Sequence, residues 1–253
     1  MGLSNGKGKK ALLLLYKYLH MKLHRNTFLA ILILTATVLL APVTAKSQIL
    51  NEKTKKKIHV GIGMFTDIYM NVPSGIKTRT INQGFTALVA YRVPFGKSNF
   101  GFGIGLQMSI HNMFGNFLVK SYTDSTRLTK IPDTVSYKRS KLVMPYLELP
   151  IEFQLVTKYK FALGLGFKVG YMLPAHTKYV GDEYQADLQP GSDQLRIKFR
   201  NVKNLDRFAY GPTLRIGYKW FNLFGYYQLS SIFQNSKGPD IYPITVGFMI
   251  RPF

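Results

Sequence analysis

The stretch Phe100-Gly-Phe-Gly-Ile-Gly-Leu-Gln-Met-Ser-Ile110 carries an apolar side chain at every even position. Its odd positions hold Gly101, Gly103, Gly105, Gln107 and Ser109. A period of two belongs to a strand, whose side chains point alternately to opposite faces. One face is bulky and apolar, the other small or polar. A soluble sandwich or lipocalin packs its large residues inside, and glycine with polar groups could not fill a dry core on the other side. The pattern therefore predicts a strand whose bulky face meets an apolar medium.

The same alternation recurs along the chain. Ile58, Val60, Ile62 and Met64 oppose His59, Gly61 and Gly63, and Phe85, Ala87, Val89 and Tyr91 oppose Thr86, Leu88, Ala90 and Arg92. Further segments run over 143–155, 161–173, 208–218 and 242–250, with 223–233 strand-like but ambiguous in register. No stretch shows sustained helical spacing. The expected strands are roughly 9–13 residues long, enough to cross a bilayer at a tilt and longer than soluble strands usually run. Connections alternate between tight (94–98, 157–160, 219–222) and long and polar (114–140, 175–206), as in outer-membrane barrels. These features predict an all-β, transmembrane, antiparallel up-and-down β-barrel of about eight strands over residues 58–253. Closure is required because an open edge in hydrocarbon leaves backbone groups unsatisfied, each at several kcal/mol. Pro145, Pro150 and Pro212 each remove a ladder donor, so bulges or rim positions are expected there.

The N-terminal segment has the three parts of a secretory signal. A basic stretch, Met21 to Arg25, precedes the apolar run Phe28 to Ala41, followed by small residues around Ala45 and Ser47. The apolar run is shorter than the roughly 20 residues of a comfortable membrane span. Cleavage is expected after Ala45 or Ser47, and no cysteine stands at the junction to accept a lipid. Residues 1–20 place a second basic-apolar stretch ahead of a complete signal. That arrangement reads as a start at Met21 or as a long basic leader. Residues 1–45 are thus the expected signal region and 46–57 a basic connector.

The segment Met144-Pro-Tyr-Leu-Glu-Leu-Pro-Ile-Glu152 resembles the "YLEIP" strand of the PorT-like outer-membrane β-barrel family of Bacteroidota. The run Phe208 to Tyr218, then Leu223 to Leu229 and Lys237 to Asp240, is similar to that family's closing strands. The resemblance covers roughly residues 58–253. It implies an outer-membrane barrel in the cell envelope and no particular chemistry, because the family is broad.

The chain carries 34 Lys and Arg against 12 Asp and Glu, a net charge of +22. Removing residues 1–45 takes away six basic residues and leaves +16. A balance of that kind suits anionic partners: outer-membrane lipids, lipopolysaccharide phosphate, or other envelope proteins. Nucleic acid is not expected, since no binding module is visible and an export signal argues against one. With no cysteine there is no disulfide, thiolate nucleophile or Cys-based metal site.

Several motifs invite a chemical reading. Gly101-Phe-Gly-Ile-Gly105 and Gly164-Leu-Gly-Phe-Lys-Val-Gly170 look like phosphate loops, but a nucleotide fingerprint opens a helix. Here the glycines fall at period two within strands, where they make room in a narrow lumen. No metal-ligand spacing occurs and no cofactor is expected. On the predicted inner face lie Arg92, Glu148, Glu152, Lys168, Arg215 and Arg251. An eight-stranded barrel is just wide enough to be filled by side chains, so these predict a lumenal ion-pair network. Glu148 and Glu152 stand roughly 13 Å apart along one strand, beyond the about 5–10 Å usual for cooperating carboxylates. Ser109 and His111 share a face and could meet Glu148, a polar filling rather than a catalytic set. The expected function is a non-enzymatic integral outer-membrane protein with a structural, adhesive or accessory role. The alternatives are a narrow channel for small solutes and a lipid-modifying envelope enzyme.

Overall fold

The computed structural model describes residues 57–182 and 195–251. The expected signal region, and the connector up to residue 56, lie outside the described residues. Every described element is a strand: β1 (Ile58–Met70), β2 (Gln83–Pro94), β3 (Phe100–Phe114), β4 (Phe117–Ser121), β5 (Thr126–Lys130) and β6 (Tyr137–Val156), then β7 (Phe161–Met172), β8 (His176–Gly181), β9 (Leu195–Arg200), β10 (Phe208–Tyr218), β11 (Phe221–Tyr227) and β12 (Tyr242–Ile250). Ten of them form one sheet in the order β3-β2-β1-β12-β11-β10-β7-β6-β8-β9, and β3 also pairs with β6. That last pairing joins the two ends of the run from β3 to β6. Eight antiparallel strands therefore close into an up-and-down barrel, sealed between the first strand and the last by Ile62↔Ile250 through Met70↔Tyr242.

The faces are inverted relative to a soluble protein. Ile62 and Leu165 on the outer wall are each 64% exposed, whereas Asp67, Glu148 and Lys168 inside are at most 4% exposed. Large apolar side chains facing out and polar ones facing in satisfy a chain surrounded by hydrocarbon. Exposed aromatic residues gather at two levels. Phe100, Phe153, Tyr218 and Trp220 lie near the tight turns, and Phe85, Tyr171, Phe208 and Tyr227 near the opposite end. The 11 residues of β10 between these girdles span roughly 33 Å along the strand. At a tilt of about 40° this gives about 25 Å of height, that of an outer-membrane apolar band.

Above that band the structure departs from the expected loops. β6 is 20 residues long and β3 is 15. β8 takes over from β7 as the neighbour of β6, with Tyr146↔Met172 followed by Val143↔His176, and β9 pairs with β8. The long connections thus hold a three-stranded extension of the wall and a separate hairpin, β4–β5. The last ambiguous strand is also shorter than expected. It spans Phe221–Tyr227, and beyond it the chain turns so that Ile232 and Phe233 are buried.

The prolines produce no bulge. The register shift recorded in β6 lies at Tyr137/Arg139 instead. Opposite Pro150 the β3–β6 ladder lapses between Ile104↔Ile151 and Gln107↔Glu148 without changing register, while Pro150 still stands against Lys168 on β7. A residue without an N–H loses its bond on one side only. Pro212 sits just outside the β10–β11 ladder, whose pairing begins at Thr213↔Tyr226, and beyond it the Leu229 N–H still donates to the Tyr210 carbonyl at 2.9 Å. A closed ladder of this kind should make the purified protein heat-modifiable. Unboiled samples are expected to migrate differently from boiled ones on gels and to give a β-rich circular dichroism spectrum in detergent. A helix-rich spectrum would rule the barrel out.

Candidate functional site: the filled lumen

Inward-facing side chains form three successive layers. Nearest the long connections is an apolar one. Met113, Leu142, Met144 and Met172 come from the barrel wall, and they pack with Phe117, Leu205, Ile232, Phe233 and Ile241 from the returning segments. Phe117, Ile232, Phe233 and Ile241 are each at most 1% exposed. The Ser140 hydroxyl donates to the Phe117 carbonyl and ties this layer to the wall.

The middle layer is polar and centred on Asp67, which is fully buried. Thr245 Oγ1 donates to Asp67 Oδ1 at 2.7 Å, and Tyr69 Oη to Oδ2 at 3.4 Å. His111 Nδ1 lies 2.9 Å from the same Oδ2, and its Nε2 lies 3.1 Å from Ser109 Oγ. The sequence reading paired Ser109 and His111 with Glu148; the structure gives His111 to Asp67 instead. Asp67 is legible in hindsight. Continuing the alternation of β1 from Met64 to Met70 puts Phe65, Asp67 and Tyr69 on the inner face with His59, Gly61 and Gly63.

Serine, histidine and aspartate in that order have the connectivity of a nucleophile, its base and the base's orienter. Acyl transfer also requires space about 3 Å from the serine oxygen for a reacting carbonyl. Ser109 is 1% exposed. The rings of Phe65 and Tyr146 pack on His111 at 4.6 and 5.3 Å between centroids. In this packed state the three groups satisfy one another as buried polar groups must.

Glu148 pairs with Lys168, whose Nζ lies 2.8 Å from Oε1 and 3.8 Å above the centre of the Tyr226 ring. The layer nearest the tight turns is built on Glu152. Arg215 donates from Nε at 2.8 Å and from Nη2 at 3.1 Å, Gln154 Nε2 donates at 2.8 Å, and Arg251 stands 3.7 Å away. Arg215 Nη1 also donates to Asn222 Oδ1 at 2.7 Å. Arg92 lies within ion-pair reach of neither Glu148 nor Glu152. It donates to the Asn99 carbonyl at 3.3 Å. Arg92 also lines a cavity of about 20 Å³ with Arg215, Arg251, His59 and Gln154, room for about one water molecule.

Glycine creates the room for this layer. A Cβ at Gly164 would overlap the Glu152 carboxylate, and one at Gly103 would overlap the Gln154 amide. Gly103 and Gly164 thus leave room for the long polar side chains that β6 sends into the lumen from between their strands.

Closed antiparallel walls, an apolar exterior and a side-chain-filled interior have a counterpart among known families. Residues 58–234 match the outer membrane protein beta-barrel domain. The chain belongs to that family. Its place is accordingly the outer membrane. A comparison with curated proteins gives no match. Among solved structures the chain is similar to Ail, the attachment invasion locus protein of Yersinia pestis, crystallised with the heparin analogue sucrose octasulfate. The identity is 14% over 77% of this chain and 97% of Ail, with a TM-score of 0.35. It is also similar to a mutant porin of Rhodopseudomonas blastica at 10% identity, over 77% of this chain and 98% of the porin, with a TM-score of 0.19.

Proposed function

We propose that this barrel works at its outer surface rather than through its interior, as a PorT-like structural, adhesive or accessory protein of the envelope of Bacteroidota. The apolar layer at the mouth carries the reading. Phe117, Phe233 and Ile241, all almost fully buried, occupy the position through which a solute would enter. Below them the ion-paired layers leave little free volume. Meanwhile β8, β9, the top of β6 and the β4–β5 hairpin extend the fold beyond the membrane. In this proposal the leader over residues 1–45 exports the chain and is removed, and the basic outer surface meets outer-membrane lipids, lipopolysaccharide or neighbouring envelope proteins.

The second reading, a narrow channel, is favoured by the cationic cavity between Arg92, Arg215 and Arg251. Planar-bilayer recordings separate the two. The filled-lumen reading expects no conductance steps from the parent protein. Steady anion-selective steps that disappear on Arg92→Gln would establish the channel. The lipid-modifying alternative is tested in the same preparation. A fluorophosphonate probe is expected to leave Ser109 unlabelled at neutral pH, whereas labelling lost with both Ser109→Ala and His111→Ala would make the buried triad an enzyme.

A further inference from the structure

The extension of the wall above the membrane carries an arrangement that the barrel does not need. Lys141 of β6, Lys178 of β8 and Lys198 of β9 stand directly abreast on three hydrogen-bonded strands. The next row outward is Arg139, Val180 and Arg196; the next row inward is Val143, His176 and Arg200. Side chains directly opposite across antiparallel strands lie about 5 Å apart, and like charges placed so are destabilising. Neither Asp182 nor Asp206, the described carboxylates flanking β8 and β9, forms an ion pair with these rows. Partial burial, then Lys198, Lys141, Arg200 and Lys178, push His176 down to about 4. Burial and then Arg139 and Lys178 lower Lys141.

Cations on an exposed edge strand discourage pairing with another sheet. That accounts for Arg196, Lys198 and Arg200 on β9. It does not account for Lys178 or Lys141, which sit on strands paired on both sides.

The rows face outward. On the opposite side of β6 and β8, Ser140, Leu142 and Tyr179 are buried. Within the rows Arg196, Lys198 and Arg200 are exposed and Val143 and Val180 are the buried members, and on β9 both faces are open. Lys141 lies 5.0 Å from the centre of the Phe114 ring on the outer wall. On β6 they continue the parity of Leu147, Leu149 and Phe153, which face hydrocarbon. Lys141 is about 20 Å along the strand beyond Leu147 at about 3.3 Å per residue. Leu147 stands level with Tyr171 of the upper girdle. At a tilt of about 40° the rows therefore rise about 10–15 Å above the apolar band. That is the height of the headgroup layer of a large glycolipid packed against Leu147, Leu149 and Val169.

We propose that the outward face of β6, β8 and β9 is a binding site for the phosphate groups of a phosphorylated outer-leaflet lipid of the lipopolysaccharide type. The site rests on the reading of this chain as a membrane barrel acting at its outer surface. Continuity with the lipid-facing wall favours a lipid over a soluble polyanion, which would have no use for an apolar surface beneath its anionic groups. The phosphates offset the mutual repulsion of the rows, and Arg139, Arg196 and Arg200 offer bidentate donors for phosphate oxygens.

The test uses the full mature chain in nanodiscs of neutral phospholipid, titrated with bisphosphorylated lipid A. The triple variant Lys178→Gln/Lys198→Gln/Arg200→Gln is expected to bind roughly a hundredfold more weakly than the parent, about a factor of five per cation near an anionic surface. Lys120→Gln/Arg127→Gln/Lys130→Gln on the β4–β5 hairpin should bind as the parent does. Lipid A stripped of phosphate should bind parent and triple variant equally weakly. Undiminished lipid A binding by the triple variant overturns the site. So does a soluble sulfated oligosaccharide that binds the parent as tightly as lipid A, which would assign the face to a free polyanion. Heat-modifiability of each variant reports separately on the barrel, so a failed site and a failed barrel give different results.

Discussion

Glu152→Gln is expected to lower the stability of the folded barrel by about 3–5 kcal/mol, the cost of leaving a buried charge without its partner. The substitution keeps the shape of the side chain and removes its charge. Arg215, held at 2.8 and 3.1 Å, and Arg251 at 3.7 Å would then share one small cavity with Arg92 and no carboxylate. A guanidinium cannot relieve this by losing a proton, whereas the ammonium left by Glu148→Gln can. For that reason Glu152 should matter more than Glu148, although Glu148 is the more deeply buried. Glu152 retains 15% side-chain exposure, which places the effect toward the lower end of the range. Replacing the pair together by Glu152→Gln/Arg215→Met should recover part of the loss, with a coupling of about 1–3 kcal/mol between the two sites. Arg92→Gln should cost little, because it removes a like charge. Urea unfolding in detergent micelles, read by the gel shift, measures these four variants and Arg215→Met, the single change that completes the cycle. A coupling near zero would mean that the network contributes no stability.

The architecture was legible because a membrane barrel repeats one simple rule. Every wall strand must alternate large apolar and small or polar residues, and that rule is written in consecutive residues such as Phe100 to Ile110. The inward set followed from the same parity. Glu148, Glu152, Lys168, Arg215 and Arg251 are all placed in the lumen, and Arg92 beside the Arg215–Arg251 cavity. Partners were a different matter. That Lys168 meets Glu148, and that Arg215 and Arg251 meet Glu152, depends on how far each strand is staggered against its neighbours, which alternation leaves undetermined. Asp67 escaped the sequence pattern because the alternation was followed only to Met64, six residues short of the end of β1 at Met70. The apolar mouth was invisible for another reason. Phe117, Ile232, Phe233 and Ile241 lie in segments without periodicity, and they become a layer only where four connections converge on one rim.

Ile104→Lys is expected to disfavour the inserted barrel by about 2–4 kcal/mol, the cost of a cation near the bilayer midplane on a lipid-facing strand. Ile104 is 40% exposed on the outer wall, near the centre of a face that runs from Phe100 to Ile110. Its immediate cross-strand neighbours are Tyr91 on β2 and Ile151 on β6. Neither offers an ammonium a counter-charge. Gln107→Lys, three residues along the same strand, places the same charge on the other face. Gln107 is buried in the lumen and stands directly opposite Glu148. One oxygen of that carboxylate, Oε2, lacks a hydrogen-bond partner. A lysine at position 107 would reach a carboxylate already paired on its other oxygen with Lys168, so the gain from the new contact offsets much of its desolvation. The second variant should therefore lose less than about 1 kcal/mol, within the range of ordinary polar exchanges. Folding yields into lipid vesicles across a urea series give both values on one scale. Equal losses would remove the distinction between inner and outer faces. A larger loss for Gln107→Lys would reverse it, and with it the placement of every charged side chain described for the lumen.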